Sequence, residues 1–161
     1  FVGDGELREA MEAEVQRYGL RQVLHLVGWR RDIAEILRCL DVFVLTSRWE
    51  GLPRVYLEAL ASGVPVVGTN VDGASEVVHD GVNGYLTEPG AVQAMAEKVA
   101  HLLAHPDEAK RMGGQGLAQP EVFDIRTMVR QQEDEYERLA AAVVERKSLS
   151  TAAGYGTSTK S

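Results

Sequence analysis

Cysteine occurs once in this 161-residue chain, and aromatic residues make up only 6% of it. The lone Cys39 excludes a disulfide within the chain, and its apolar neighbours predict a packed core thiol in a reducing, cytoplasmic compartment. A membrane-spanning helix needs about 18 or more consecutive apolar residues, and no run approaches that length. The charged-then-apolar shape of a signal peptide is also missing from the N-terminus. Basic residues are in deficit: 17 Lys and Arg against 24 Asp and Glu give a formal net charge of -7 and a pI near 5.1. That balance argues against a nucleic-acid groove or an anionic membrane surface as a direct partner.

What remains is an ordinary globular composition, 45% hydrophobic and 25% charged, in a length that suits one domain with a real core. The two ends read differently. "FVGDGEL" places two strand-like residues before a glycine turn, whereas a strand needs about five. Phe1-Val2 is therefore expected to be the tail of a longer strand, and the chain a piece of a larger protein. At the other end, "SLSTAAGYGTSTKS" is small, polar and aperiodic. A domain over 1–147 and a disordered tail over 148–161 are expected.

Between the ends, strand and helix signals alternate. "ELREAMEAEVQRYG" sets Leu7, Met11 and Val15 on one helical stripe, with Gly19 as the stop. "VLHLVG" (23–28) reads as a strand, and "RDIAEILRCL" as a helix with Ile33, Ile36, Leu37 and Leu40 on its apolar face. "DVFVLTS" is a continuous apolar strand, as expected when both faces are covered. A helix opens near Pro53, a residue suited to the first helical position, and "VPVVGT" follows as a strand. Then come a short helical turn in "DGASEVVHDG", a strand in "NGYLTE" and a helix in "VQAMAEKVAHLLAHP" stopped by Pro106. After a glycine-broken stretch, Asp124 caps a last helix running to about Lys147.

This alternation predicts an α/β fold, a Rossmann-like parallel sheet with helices on both faces. Ligands of such sheets bind outside the carboxyl ends of the strands. Four glycine-containing segments follow predicted strands: Gly3-Asp4-Gly5, Gly28-Trp29-Arg30, Ser47 to Pro53, and Thr69 to Gly73. All four are expected to face one crevice.

Glu50 and Glu58 lie eight positions apart around the third segment. The spacing carries no weight alone, since Glu6/Glu14 and Glu137/Glu145 repeat it within helices. Context does. Glu50 precedes Gly51 and a helix opening, the amides of Arg54 and Val55 fall in a first turn that lacks intrahelical partners, and Glu58 follows two turns on. A helix N-terminus attracts phosphate, and carboxylates accept hydrogen bonds from diols. A ligand with hydroxyls at both ends and phosphates between them, such as a nucleoside diphosphate sugar, fits that order. Leu57, Leu60 and Ala61 flank Glu58, so a buried helix is expected, one in which an idle charge would be costly.

"EGLPRVYLEALASGVPVVGT" resembles the E-x7-E segment of retaining glycosyltransferases of the GT-B fold, in particular family GT4. "FVGDGELREAM", "VLHLVGWRRDIAEILRCLDVFVLTS", "VDGASEVVHDGVNGYLTEPG" and "FDIRTMVRQQEDEYERL" are similar to further segments of that family's nucleotide-binding C-terminal domain, in the same order, over about Phe1 to Leu139. The resemblance implies a nucleotide-sugar donor, glycosyl transfer with retention, and no metal or other cofactor. It implies that Glu50 contacts the donor sugar as the catalytic-site carboxylate. Gly51, Leu52, Pro53 and Arg54 would line sugar and diphosphate, Val55 would add an amide, and Glu58 would bind ribose. Gly28, Trp29 and Arg30 match the segment that reads the base edge, and Gly3 the first glycine turn of the site.

The resemblance also implies what lies ahead of Phe1. The diphosphate-neutralising Arg and Lys of the family belong to a first strand and loop not included here, and acceptor contacts to an N-terminal domain of the same parent chain. The isolated chain is expected to be inactive, and its parent to be cytoplasmic, with that domain as a route to the inner face of a membrane. The acceptor, whether sugar, lipid or small molecule, is left open. A UDP-sugar epimerase of GT-B fold and a non-catalytic nucleotide-sugar-binding module are the alternatives, and both glutamates count against them.

Other signals are weaker. Gly3-x-Gly5 is followed by Arg8 where a dinucleotide fingerprint needs its third glycine. His101 and His105 have ligand-compatible spacing, but Leu102 breaks H-E-x-x-H and no acidic partner is expected nearby. As a departure from the pattern of the family it resembles, Ala91 stands where an Asp often caps the next helix. Arg48 and Arg54 are open to either a phosphate or a solvent role.

Overall fold

The computed structural model describes residues 1–117 and 124–154, with side chains described as far as 143. The chain clusters into two compact units, Phe1–Leu117 and Ala118–Ser161. The first begins with helix α1 (Arg8–Arg17) and the short α2 (Ile33–Leu37), then alternates β1 (Phe43–Leu45), α3 (Arg54–Ala61), β2 (Val66–Thr69), α4 (Ala74–Val77) and β3 (Gly84–Thr87). Helices α5 (Val92–Ala104) and α6 (Pro106–Leu117) complete it. The strands pair in parallel in the order β1-β2-β3, with Phe43 opposite Val66 and Val66 opposite Gly84.

Strand β2 is buried at every position, which is why "VPVVGT" reads as an unbroken apolar run. On one face Val67 packs with Met95, Leu102, Ala109 and Met112 of α5 and α6. On the other, Tyr56 of α3 lies against Gly68 and meets Phe43 edge-on at 6.3 Å. Helices therefore cover both faces of the central strand, as the alternation requires. Among the described residues every buried side-chain nitrogen and oxygen has a hydrogen-bond partner. Asn83, for example, donates to Val77 O and accepts from the His79 amide.

Several expectations are corrected. Residues 23–28 do not form a full strand. His25 O accepts from the Phe1 amine at 2.6 Å, Val27 N donates to Phe1 O and Gly3 N to Gly28 O. A ladder extends only where a partner lies opposite, and Phe1 to Gly3 offers three residues; Val23 and Leu24 instead close turns onto Leu20 O. Cys39 is exposed, because α2 ends at Leu37 and the inward positions are taken by Ile33, Ile36 and Leu37.

The glycine-rich stretch after Pro106 is not a break. Helix α6 runs straight through Gly113, Gly114 and Gly116. A Cβ on Gly113 would stand 1.9 Å from Gly63 O, and one on Gly116 would stand 2.8 Å from Leu60 Cδ2. Glycine here permits close approach of α6 to the end of α3, and that packing outweighs a helix-propensity penalty of about 1 kcal/mol per glycine.

In the second unit, α7 spans Ile125–Gly154. Asp124 caps it as expected, its Oδ1 accepting from Arg126 N at 2.7 Å and Thr127 N at 3.3 Å. The helix continues past Lys147 to Gly154, into the segment expected to be a tail; residues 155–161 lie outside the described part. Among the described residues no helix is long and apolar enough to cross a membrane.

Candidate functional site

The loop from Thr46 to Pro53 joins the end of β1 to α3, and a chain of three hydrogen bonds ties it to β2 and α3. Ser47 Oγ donates to Glu50 Oε1 at 2.8 Å. Thr69 Oγ1, at the end of β2, donates to Ser47 O at 2.5 Å. Tyr56 Oη in turn donates to Thr69 O at 3.4 Å. Thr69 is 2% exposed and Tyr56 fully buried. Burial, with a smaller push from the charge of Glu50, raises the Tyr56 phenol above its ordinary value of 10.0, so it remains a neutral donor.

Helix α3 opens after Pro53, which is buried and has φ -68° and ψ 89°. No side chain caps this end. Tyr56 N reaches Pro53 O, while the amides of Arg54 and Val55 find no protein acceptor among the described residues. Gly51 and Leu52 sit against the next loop. Gly73, at φ +75°, has Gly51 O and Leu52 Cα within 3.0 and 3.2 Å of where its Cβ would be. A side chain at Gly73 would separate the two loops.

Glu58 lies on the exposed side of α3, opposite Tyr56, Ala59 and Leu60. The expected burial around it is therefore not found, and the argument from an expensive idle charge does not hold for this residue. Its carboxylate has no side-chain or backbone partner among the described residues, and the same is true of the Arg48 and Arg54 side chains. Trp49, beside Glu50, is 81% exposed.

The other two glycine segments meet each other. Gly3 N donates to Gly28 O at 2.8 Å. Arg8 ties the pair together, its guanidinium donating to Leu26 O at 3.2 Å and lying 3.5 Å from Asp4. Arg30 is engaged by Asp32 in a two-pronged ion pair, which raises the Arg30 pKa and lowers that of Asp32. Trp29 is exposed and carries the Arg31 guanidinium 5.3 Å above its ring. A cavity of about 430 Å³ is lined by Gly3, Asp4, Gly5 and Arg8, away from the Ser47–Pro53 loop. The four segments thus come together as two joined pairs, Gly3 with Gly28 and Ser47–Pro53 with Thr69–Gly73.

Sequence reasoning placed Ser47 and Thr69 in crevice-facing segments but gave no individual role to them, to Tyr56 or to Arg8. The S-x-x-E order of Ser47 to Glu50 is that of a capping box, but here the hydroxyl meets the carboxylate itself in a loop, so that pattern gave no warning of the contact. The roles of Thr69 and Tyr56 come from sheet pairing and left no local trace. The histidine pair was also misjudged in one respect. His101 Nε2 lies 2.9 Å from Glu108 Oε2, an acid supplied by the next helix. Its ring stacks at 4.3 Å on His105. Among the described residues no three His, Cys, Asp or Glu side chains converge to hold a metal ion.

Comparison with known proteins places these features in a family. The model of the family described as "Glycosyl transferases group 1" matches residues 1–119. The UDP-Gal:alpha-D-GlcNAc-diphosphoundecaprenol alpha-1,3-galactosyltransferase of Escherichia coli is 43% identical over 89 residues, 55% of this chain and 23% of that protein. The lipopolysaccharide core biosynthesis glycosyltransferase LpsE of Rhizobium meliloti is 31% identical over 116 residues, 72% of this chain and 34% of that protein. Anabaena Alr3699/HepE, solved in complex with UDP, superposes with a TM-score of 0.80 at 28% identity, over 85% of this chain and 40% of that one. The same protein with UDP-glucose gives a TM-score of 0.78 at 30% identity. The chain spans well under half the length of each of these relatives.

Proposed function

This chain belongs to the family of group 1 glycosyl transferases, with the GT-B fold, and on that basis we propose that it is the donor-binding part of a retaining, metal-independent GT4 glycosyltransferase. The observation that carries the proposal is that the family match takes in the whole of Ser47 to Glu58. There a carboxylate, two amides without acceptors among the described residues and a second carboxylate follow one another along a loop and helix start. In this reading Glu50 takes hydroxyls of the donor sugar. The amides of Arg54 and Val55 receive the diphosphate, with Gly51, Leu52 and Pro53 lining it, and Glu58 takes the ribose. Gly28, Trp29, Arg30 and Gly3 border the base.

Transfer then proceeds by attack of the acceptor on the face from which the diphosphate leaves, through an oxocarbenium-like state. The departing phosphate oxygen takes the acceptor proton. Placement and stabilisation of the leaving charge supply the rate. An N-terminal domain in the parent protein contributes the acceptor site, and the parent works in the cytoplasm, at the inner face of the membrane where its acceptor is a lipid. Complexes of Alr3699/HepE with UDP and UDP-glucose support uracil as the base to test first.

The test uses the full-length protein with UDP, GDP and ADP and the corresponding glucose conjugates. One nucleotide is expected to raise the melting temperature, and its sugar conjugate to be hydrolysed with the anomeric configuration kept and with EDTA present. A cooperative melt unmoved by all three nucleotides, with no hydrolysis, would overturn the proposal.

A further inference from the structure

Glu50 is exposed, and a free glutamate side chain on a loop samples many rotamers. Its environment here is not free. Ser47 Oγ occupies Oε1 at 2.8 Å, and among the described residues Oε2 accepts nothing. A contact between exposed neighbours three residues apart would ordinarily mean little. This one is anchored, because the carbonyl of the same Ser47 is held at 2.5 Å by Thr69 Oγ1. Thr69 lies at the buried end of β2, and its own carbonyl accepts from Tyr56 of α3. The chain of bonds therefore runs from the carboxylate through the end of β1 to β2 and back to the helix that the Glu50 loop precedes.

We propose that Ser47 is a positioning residue for Glu50. Its hydroxyl fixes one carboxylate oxygen, so that the other is presented to a hydroxyl of the donor sugar, and Thr69 braces Ser47 from the sheet. This rests on the donor-site reading of Glu50 and adds to it a residue that touches no ligand. The contact uses one acceptor site of Oε1 and leaves Oε2 as the oxygen fully open to the sugar, so that the carboxylate is presented in a defined direction.

The experiment compares Ser47→Ala, Ser47→Thr, Glu50→Gln and the Ser47→Ala/Glu50→Gln double variant in the full-length protein. The substrate is whichever of UDP-, GDP- and ADP-glucose the wild type hydrolyses fastest. The second readout is affinity for the matching free nucleoside diphosphate, which has no sugar for Glu50 to hold. Ser47→Ala is expected to lower kcat/KM for hydrolysis about tenfold, the scale of a lost hydrogen bond to a charged group. It should leave nucleotide affinity unchanged and cause no further loss in the Glu50→Gln background. Ser47→Thr, which keeps the hydroxyl, is expected to restore most of the rate.

Additive losses in the double variant would overturn the proposal, as would nucleotide affinity falling in step with hydrolysis, since either marks Ser47 as general support for the loop. A silent Ser47→Ala beside an inactive Glu50→Gln would overturn it while leaving the donor-site reading intact. Silence of both variants, or hydrolysis of none of the three donors, would overturn both.

Discussion

Gly68 and Tyr56 compete for one volume: a Cβ at Gly68 would stand 2.1 Å from the Tyr56 hydroxyl and 2.6 Å from the ring carbon that bears it. Both are buried, and the ring has no exposed side to swing toward. Gly68→Ala is therefore expected to destabilise the protein by about 2–3 kcal/mol, the scale of overpacking in a rigid core. Adding Tyr56→Phe removes the nearest of the clashing atoms. The double variant should be more stable than Gly68→Ala alone in urea unfolding, although Tyr56→Phe by itself destabilises by about 1 kcal/mol through its lost hydrogen bond.

The glycines of α6 make opposite predictions one residue apart. Gly113→Ala drives a methyl into Gly63 O and is expected to cost about 3 kcal/mol. Gly114→Ala meets nothing within 4 Å in the same helix and should stabilise by about 0.5–1 kcal/mol through helix propensity and a less flexible unfolded chain. Thermal melts of the two variants against wild type check both signs.

Glu108 gives a pH dependence. The His101 ring, and then the Tyr85 hydroxyl, hold its carboxyl below the ordinary value of 4.5. A depressed carboxylate contributes stability that is fully present above its unfolded pKa and is lost as pH falls through the lower folded value. Unfolding free energy should accordingly decline below about pH 4.5, and Glu108→Gln, which removes the contribution present above that pH, should flatten that part of the curve. Urea titrations from pH 3 to 7 measure it.

Glu58 separates stability from binding. Because it is exposed and its carboxylate makes no hydrogen bond or ion pair among the described residues, Glu58→Ala should change unliganded stability by no more than about 0.5 kcal/mol. If it holds the ribose, the same variant loses the nucleotide-induced rise in melting temperature. Retention of the full rise would remove Glu58 from the donor site.

Much of the fold can be read from the chain because period and punctuation agree. Val64 to Thr69 has the unbroken apolar run of a strand covered on both sides, Pro106 ends α5, and Asp124 caps α7 where it was expected to. The misreadings share a cause. Gly113 and Gly116 look like breakers in isolation, and only the proximity of Gly63 and Leu60 shows that the missing Cβ atoms serve packing. Cys39 was placed inside by its apolar neighbours, yet α2 stops two residues earlier. For the site, the local geometry of Ser47 to Glu58, a loop running into a helix start at Arg54, was legible from its glycine, proline and acid order. The exposure of Glu58 and the Ser47–Thr69–Tyr56 chain were not, since they depend on which side of α3 faces β2.

The close approach of α6 to α3 has a further consequence. Pinned between β2 on one side and the glycines of α6 on the other, α3 has little freedom to rock about its axis. The direction of its opening amides is thereby set by packing elsewhere in the fold. In the proposed donor-site reading, a diphosphate docking there would meet dipoles already aligned, with little binding free energy spent on ordering the receptor. In that reading the glycines of α6 would act on recognition through preorganisation, without contributing an atom to the contact.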